Sequence, residues 1–124
     1  MYKFFLFTGS VLGAISVMIG AFGAHALKAT LEAQNRLDTF ETAVKYQFYH
    51  TLAILAVGLL LRHAEGKMLE YAGYSFMVGI LIFSGSLYIL CTTGITKWGA
   101  VTPIGGLAFI LGWILLAIAV LKIN

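Results

Sequence analysis

His25 and His50 are the side chains in this sequence best suited to chemistry, because a neutral imidazole can ligate a metal or haem iron, or carry a proton near neutral pH. His25 stands in "GAFGAHALK" (residues 20–28), and His50 closes "TAVKYQFYH" (residues 42–50). Tyr46 lies four residues before His50 and Gln47 three, so on a helix the three side chains share one surface. A second polar set, Ser84, Ser86 and Tyr88, occupies "FSGSLYIL", with Ser84 and Tyr88 again four apart. Thr102 precedes Pro103, the only proline. Three uses of this set compete. It can be a structural hydrogen-bond network, with His25 bonded to the "YQFYH" group, the serines to carbonyls and Tyr88 to a histidine or a loop carbonyl. It can floor a pocket between helices for a lipid, quinone or other apolar molecule with one polar head. Or His25 and His50 can form an axial pair on a metal or haem. The axial pair has no cysteine or second carboxylate beside it to complete a metal set, so no metal site and no cofactor are expected. The network comes first and the pocket second.

The elements that carry these residues follow from composition. The 124 residues are 60% hydrophobic and only 10% charged, and the mean hydropathy is +0.95. A domain this small leaves much of its surface exposed, so such a chain cannot be covered by water alone. One domain is expected, an all-α four-transmembrane-helix bundle. A span needs about 20 mostly apolar residues, and four stretches qualify, near 4–24, 40–61, 71–91 and 102–121. Asp38 or Thr39 is placed to cap the second span and Thr102 the fourth, with Pro103 in its first turn. The polar stretch "KATLEAQNRLD" (28–38) reads as a surface connector, with Lys28–Glu32 and Glu32–Arg36 at ion-pair spacing. Lys3, the apolar run and Ala24-His25-Ala26 imitate an export signal, but the run exceeds a usual h-region and the first span is expected to stay attached.

Because the helices alternate in direction, His25, Gln47, His50, Ser84, Ser86, Tyr88 and Thr102 all fall at one side of the membrane. The other side carries ordinary interfacial charges, Lys3, Arg62, His63, Glu65, Lys67, Glu70 and Lys122. Basic residues do not set the orientation: Lys3, Arg62, Lys67 and Lys122 on one side face Lys28, Arg36, Lys45 and Lys97 on the other. Small residues should hold the bundle together, since lipid gives little hydrophobic drive between helices. Gly9, Gly13, Ser16, Gly20 and Ala24 recur at spacings of three and four in the first span. Gly79, Ser84 and Gly85 serve the third span, and Gly105, Gly106 and Gly112 the fourth. Packing within the chain is the first reading of the stripe and a homo-oligomer interface the second.

The carboxylates Glu32, Asp38, Glu41, Glu65 and Glu70 all fall near or outside the interfaces, with Glu41 spaced to pair with Lys45. No paired acids, nucleophile motif or mid-span charge appears, so neither an enzyme nor an ion pump is expected. The single cysteine, Cys91, lies in an apolar run and reads as buried filler. No basic run suggests nucleic acid; membrane lipid is the expected partner, and no protein partner is identified.

With "GAFGAHALK", "TAVKYQFYH" and "FSGSLYIL" followed by "WGAVTPIGGLAFILGW", the chain resembles the small bacterial membrane proteins of the YwdK/YgdD type. They form a domain-of-unknown-function family with relatives in eukaryotic organelles. The resemblance covers nearly the whole chain and implies a four-span protein of the bacterial plasma (inner) membrane. It brings no substrate, cofactor or catalytic residue. The reading is a non-enzymatic membrane scaffold or a lipid- or apolar-ligand-binding bundle with a polar cap. A small-solute transporter is the alternative, and a haem- or metal-binding or lipid-modifying protein ranks below it.

Overall fold

In lipid each backbone N–H and C=O must be satisfied within its own segment, so an apolar chain of this kind is helical throughout. The computed structural model describes residues 1–124, with helices, turns and no strand. Helix α1 covers Tyr2–Ala24, the short surface helix α2 Lys28–Ala33, and α3 Leu37–His63. A single rod then runs from Lys67 to Thr93, made of α4 (Lys67–Gly79), a wide π turn (Ile80–Ser84) and α5 (Gly85–Thr93). A 3-10 turn at Thr96–Ala100 leads into α6, Thr102–Leu121. Four of these rods are long and apolar enough to cross a membrane.

The spans differ from the sequence reading mainly at their ends. α3 extends from Leu37 to His63 and the third rod from Lys67 to Thr93, because polar residues at a membrane surface continue a helix as well as apolar ones do. No side chain caps α3, whose N-cap is Arg36; Thr42 instead bonds back to the Asp38 carbonyl. Thr102 is the first helical residue rather than the cap, and its hydroxyl reaches the Trp98 carbonyl in the preceding 3-10 turn. The connector pairs Lys28–Glu32 and Glu32–Arg36 do not form, nor does Glu41–Lys45; the one ion pair is Lys67–Glu70, at 3.6 Å. Helix α2 ends at Ala33, and Asn35, left-handed at φ 55°, turns the chain away, so Arg36 no longer shares a helix with Glu32. Asparagine is among the few side chains that accept that conformation readily.

Helix α1 packs on α3 and α6 on α4, with α3 against α4 joining the two antiparallel pairs. Both pairs use one device. In α1 and α3, Leu6 lies over Gly58 and Leu55 over Gly9. In α4 and α6, Phe76 lies over Gly112 and Phe109 over Gly79. In every case the large residue precedes a glycine of its own helix by three positions, so knob and hole share a face and each helix supplies both. The register holds along α1: Gly9, Gly13, Gly20 and Gly23 meet Leu55, Thr51, Val44 and Phe40 in reverse order. Ser16, in the same stripe, is buried and bonds its own Leu12 carbonyl at 2.7 Å. The glycines of the stripe therefore face α3 inside the chain. Gly105 admits the backbone of Phe83 in the π turn, whereas Gly85 and Gly106 have nothing within 4 Å. Phe5, Ile54, Val57, Phe76 and Phe109 form the centre of the core.

A methyl group added at Gly112 would stand 2.6 Å from the Phe76 ring, and one at Gly85 would meet open space. Gly112→Ala should therefore cost about 1–3 kcal/mol through overpacking. Gly85→Ala should be neutral or stabilising by up to about 1 kcal/mol. Thermal unfolding of both variants in one detergent checks this, and equal melting temperatures would contradict the interlock.

Candidate functional site

His25 does not join the polar set. It follows the last residue of α1, and its backbone N–H closes the helix on Ala21. Its ring is exposed and makes no hydrogen bond within the chain. The reason is local: α1 stops at Ala24, and the turn to α2 carries His25 out toward the surface instead of across to α3. His50 lies far from that surface, at the midpoint of α3 rather than in its opening turns, because α3 begins as early as Leu37. The two imidazoles cannot act as an axial pair from such positions, and no three His, Cys, Asp or Glu side chains converge elsewhere.

His50 is 5% exposed and enclosed by aromatic rings. Phe109 stacks on it with ring centres 3.5 Å apart and planes within 10°. Trp113 stands edge-on at 5.8 Å, and Phe76 is tilted at 5.7 Å. The Trp113 indole N–H donates to His50 Nε2 at 3.0 Å. Indole can only donate, so Nε2 must be bare and the proton sits on Nδ1. That proton is donated to the Tyr46 carbonyl at 2.7 Å. Both nitrogens of a neutral ring are thus occupied, and a protonated ring would set an N–H against the indole N–H. Sequence reasoning missed Trp113. The available signal was an indole N–H in the middle of a span, which in lipid needs an acceptor, four residues from Phe109 on the same face of α6.

The remaining polar residues meet between α3, α5 and α6. The Tyr88 hydroxyl donates to Gln47 Oε1 at 2.6 Å, and Gln47 is only 3% exposed. Ser84 donates to the Ala43 carbonyl at 2.7 Å. Helical side chains lean toward the N-terminus of their own helix. Tyr88 therefore reaches back along its rod and meets antiparallel α3 at Gln47, four residues beyond the partner of Ser84. The expected partner, a histidine or a loop carbonyl, is absent because Gln47 occupies that place. Ser86 and Thr102 share a hydrogen bond of 2.6 Å, and Ser86 also lies 2.9 Å from the Phe83 carbonyl, inside the π turn. No buried polar side-chain atom is left without a partner. Each of these side chains is thus tied to another element or to its own backbone.

Beside this set lies a shallow, open groove of about 380 Å³ lined by Met18, Ile19, Phe22, Leu27, Phe40 and Tyr88, all apolar or aromatic. Its origin is geometric. At one end of the bundle Phe5 of α1 packs on Gly73 of α4, whereas toward the other end α1 stays on α3 and stands apart from α5. Phe40 and Tyr88 floor the gap, their ring centres 5.7 Å apart. A larger recess of about 550 Å³ opens at the opposite surface, between Met1, Tyr2 and the 61–70 region, where Glu65, Lys67 and Glu70 line it with charge.

A family model described as "Protein of unknown function (DUF423)" matches residues 19–106. A UPF0382 membrane protein of Staphylococcus aureus (strain bovine RF122 / ET3-1) is 42% identical over 120 residues, 97% of either chain. The UPF0382 membrane protein YwdK of Bacillus subtilis (strain 168) is 40% identical over 97% of this chain and 98% of its own. The UPF0382 inner membrane protein YgdD of Escherichia coli (strain K12) is 34% identical over 98% of this chain and 92% of its own. No solved structure matches.

Two expectations follow from the geometry. His50→Ala empties a ring-sized space and strands the Trp113 N–H, so it should cost about 2–5 kcal/mol. His25→Ala and His63→Ala, at exposed positions, should each stay within about 0.5 kcal/mol; similar melting temperatures for all three would refute the assignment. In a double-mutant cycle on Gln47→Leu and Tyr88→Phe, the coupling energy should be about 0.6–1.7 kcal/mol, as for hydrogen bonds between membrane helices. A coupling near zero would mean that the pair is not formed.

Proposed function

The chain belongs to the DUF423 family of proteins of unknown function, and from its geometry we propose that it is a non-enzymatic lipid-holding bundle. It is a multi-pass integral membrane protein. Its place is the inner membrane of a bacterium, as for its relative, the inner membrane protein YgdD of Escherichia coli. The ligand is the apolar chain of a membrane lipid lying in the gap between α1 and α5.

One observation carries this reading: the gap is lined wholly by apolar and aromatic side chains, on a floor of Phe40 and Tyr88 that other contacts hold rigid. The groove opens on the hydrocarbon side of α1, and an acyl chain lying in it meets no polar group that would go unpaired. At its outer end the slot meets Leu27, next in sequence to the exposed Lys28 and two residues from exposed His25. A lipid head group at that level meets positive charge. The polar residues beneath are structural in this reading: they fix α5 against α3 and so keep the gap open. A small-solute transporter is less well supported, because the middle of the bundle is filled by His50, Phe76, Phe109 and Trp113 with no polar route past them.

The test is the lipid retained by the protein after extraction in a mild detergent, quantified by native mass spectrometry. Ile19→Trp fills the slot from its α1 side, while Val17→Trp puts the same ring on the lipid-facing surface. Ile19→Trp should lose most of the retained lipid and Val17→Trp should keep it, with unfolding temperatures close to the parent. Equal retention in the two variants would exclude the slot as the binding place.

A further inference from the structure

The helix ends sort every basic residue of the chain onto one of two membrane surfaces. Lys3 in the first turn of α1, Arg62 in the last turn of α3, Lys67 opening α4 and Lys122 closing α6 stand at one end of the bundle. Lys28 opening α2, Arg36 preceding α3, exposed Lys45 and Lys97 in the 3-10 turn stand at the other. These eight are all the lysines and arginines present. Lys45 lies two turns into α3, within reach of the surface for a long side chain that extends its ammonium outward. The balance is thus four against four.

Orientation in the membrane is set by the excess of Lys and Arg in short loops and near the span ends, with acidic residues contributing little. Each loop here is short, so each lies in the range where that bias acts. No extramembrane domain is present among residues 1–124 whose translocation would override it; the longest stretch between spans is the α2 connector. The helix-packing glycines and the His50 cluster lie between helices, where they are the same for either orientation.

We propose that this chain inserts in both orientations, so that one membrane holds two populations of the same bundle inverted with respect to each other. The inference rests on the positions of the basic residues and stands whether or not the gap between α1 and α5 holds lipid.

Site-directed labelling tests it. In a Cys91→Ser background, Gln34→Cys reports the connector surface and Glu65→Cys the opposite loop; Asn124→Cys replaces the second probe if substitution at 65 lowers the amount in the membrane. A membrane-impermeant maleimide is applied to intact spheroplasts and labelling is compared with that after lysis. On the proposal, each position should be accessible from outside in about half of the molecules. Full labelling at one position with none at the other would overturn the proposal. A second measurement removes two charges from one surface, in Lys28→Gln/Lys97→Gln. The lysine-rich terminal surface should then face the cytoplasm. External labelling at 65 should fall from about half toward zero while labelling at 34 rises to nearly all molecules. Labelling that does not respond to this change would also overturn it.

Discussion

A large side chain placed three residues before a glycine, on both members of an antiparallel helix pair, is the constraint on which the rest of this bundle depends. Leu6 with Gly9 and Leu55 with Gly58 lock α1 to α3; Phe76 with Gly79 and Phe109 with Gly112 lock α4 to α6. In lipid, helices gain little from hiding apolar surface, and association comes from close packing. Reciprocal seating supplies that packing and also fixes register. Sliding either pair out of register would carry these large side chains off their glycines. The same phenylalanines then serve a second purpose, since Phe76 and Phe109 are two of the rings that enclose His50. The polar centre of the molecule is positioned by its apolar interlock.

That centre follows the rule that polar groups inside a membrane must find partners. Tyr88 and Gln47, Ser84 and the Ala43 carbonyl, and Ser86 with Thr102 tie the second half of the third rod to α3 and to the start of α6. The π turn at Ile80–Ser84 sits where these ties begin. Its wide turn sets the Phe83 backbone against Gly105 and presents the Phe83 carbonyl to Ser86. Such turns are frequent at functional sites; here it joins α4 to α5 within one rod.

What was legible in the sequence divides along physical lines. Uncharged runs of span length have one solution in lipid, so the all-helical fold with four spans could be read directly. The facing of Gly9, Gly13 and Gly20 toward a neighbouring helix follows from their spacing. Gln47, Ser84, Ser86, Tyr88 and Thr102 were identifiable because polar side chains stand out against an apolar background. Who bonds whom was not, since that depends on how far α3 extends and on where the π turn falls, neither of which periodicity encodes. His25 illustrates the limit: "GAFGAHALK" is the same string whether the turn points the ring inward or outward, and the structure points it outward. Trp113 was passed over because an aromatic residue in a span looks like filler until its N–H is counted.

The bond between Trp113 and His50 has an optical consequence. Trp98 and Trp113 are the only two indoles. Trp98 belongs to the 3-10 turn at the end of the bundle, while Trp113 is 47% exposed on a spanning helix and bonded inward to the buried imidazole. One chromophore therefore samples the interface. The other samples the hydrocarbon on one side and the protein core on the other, so its emission reports the state of His50 without any added label.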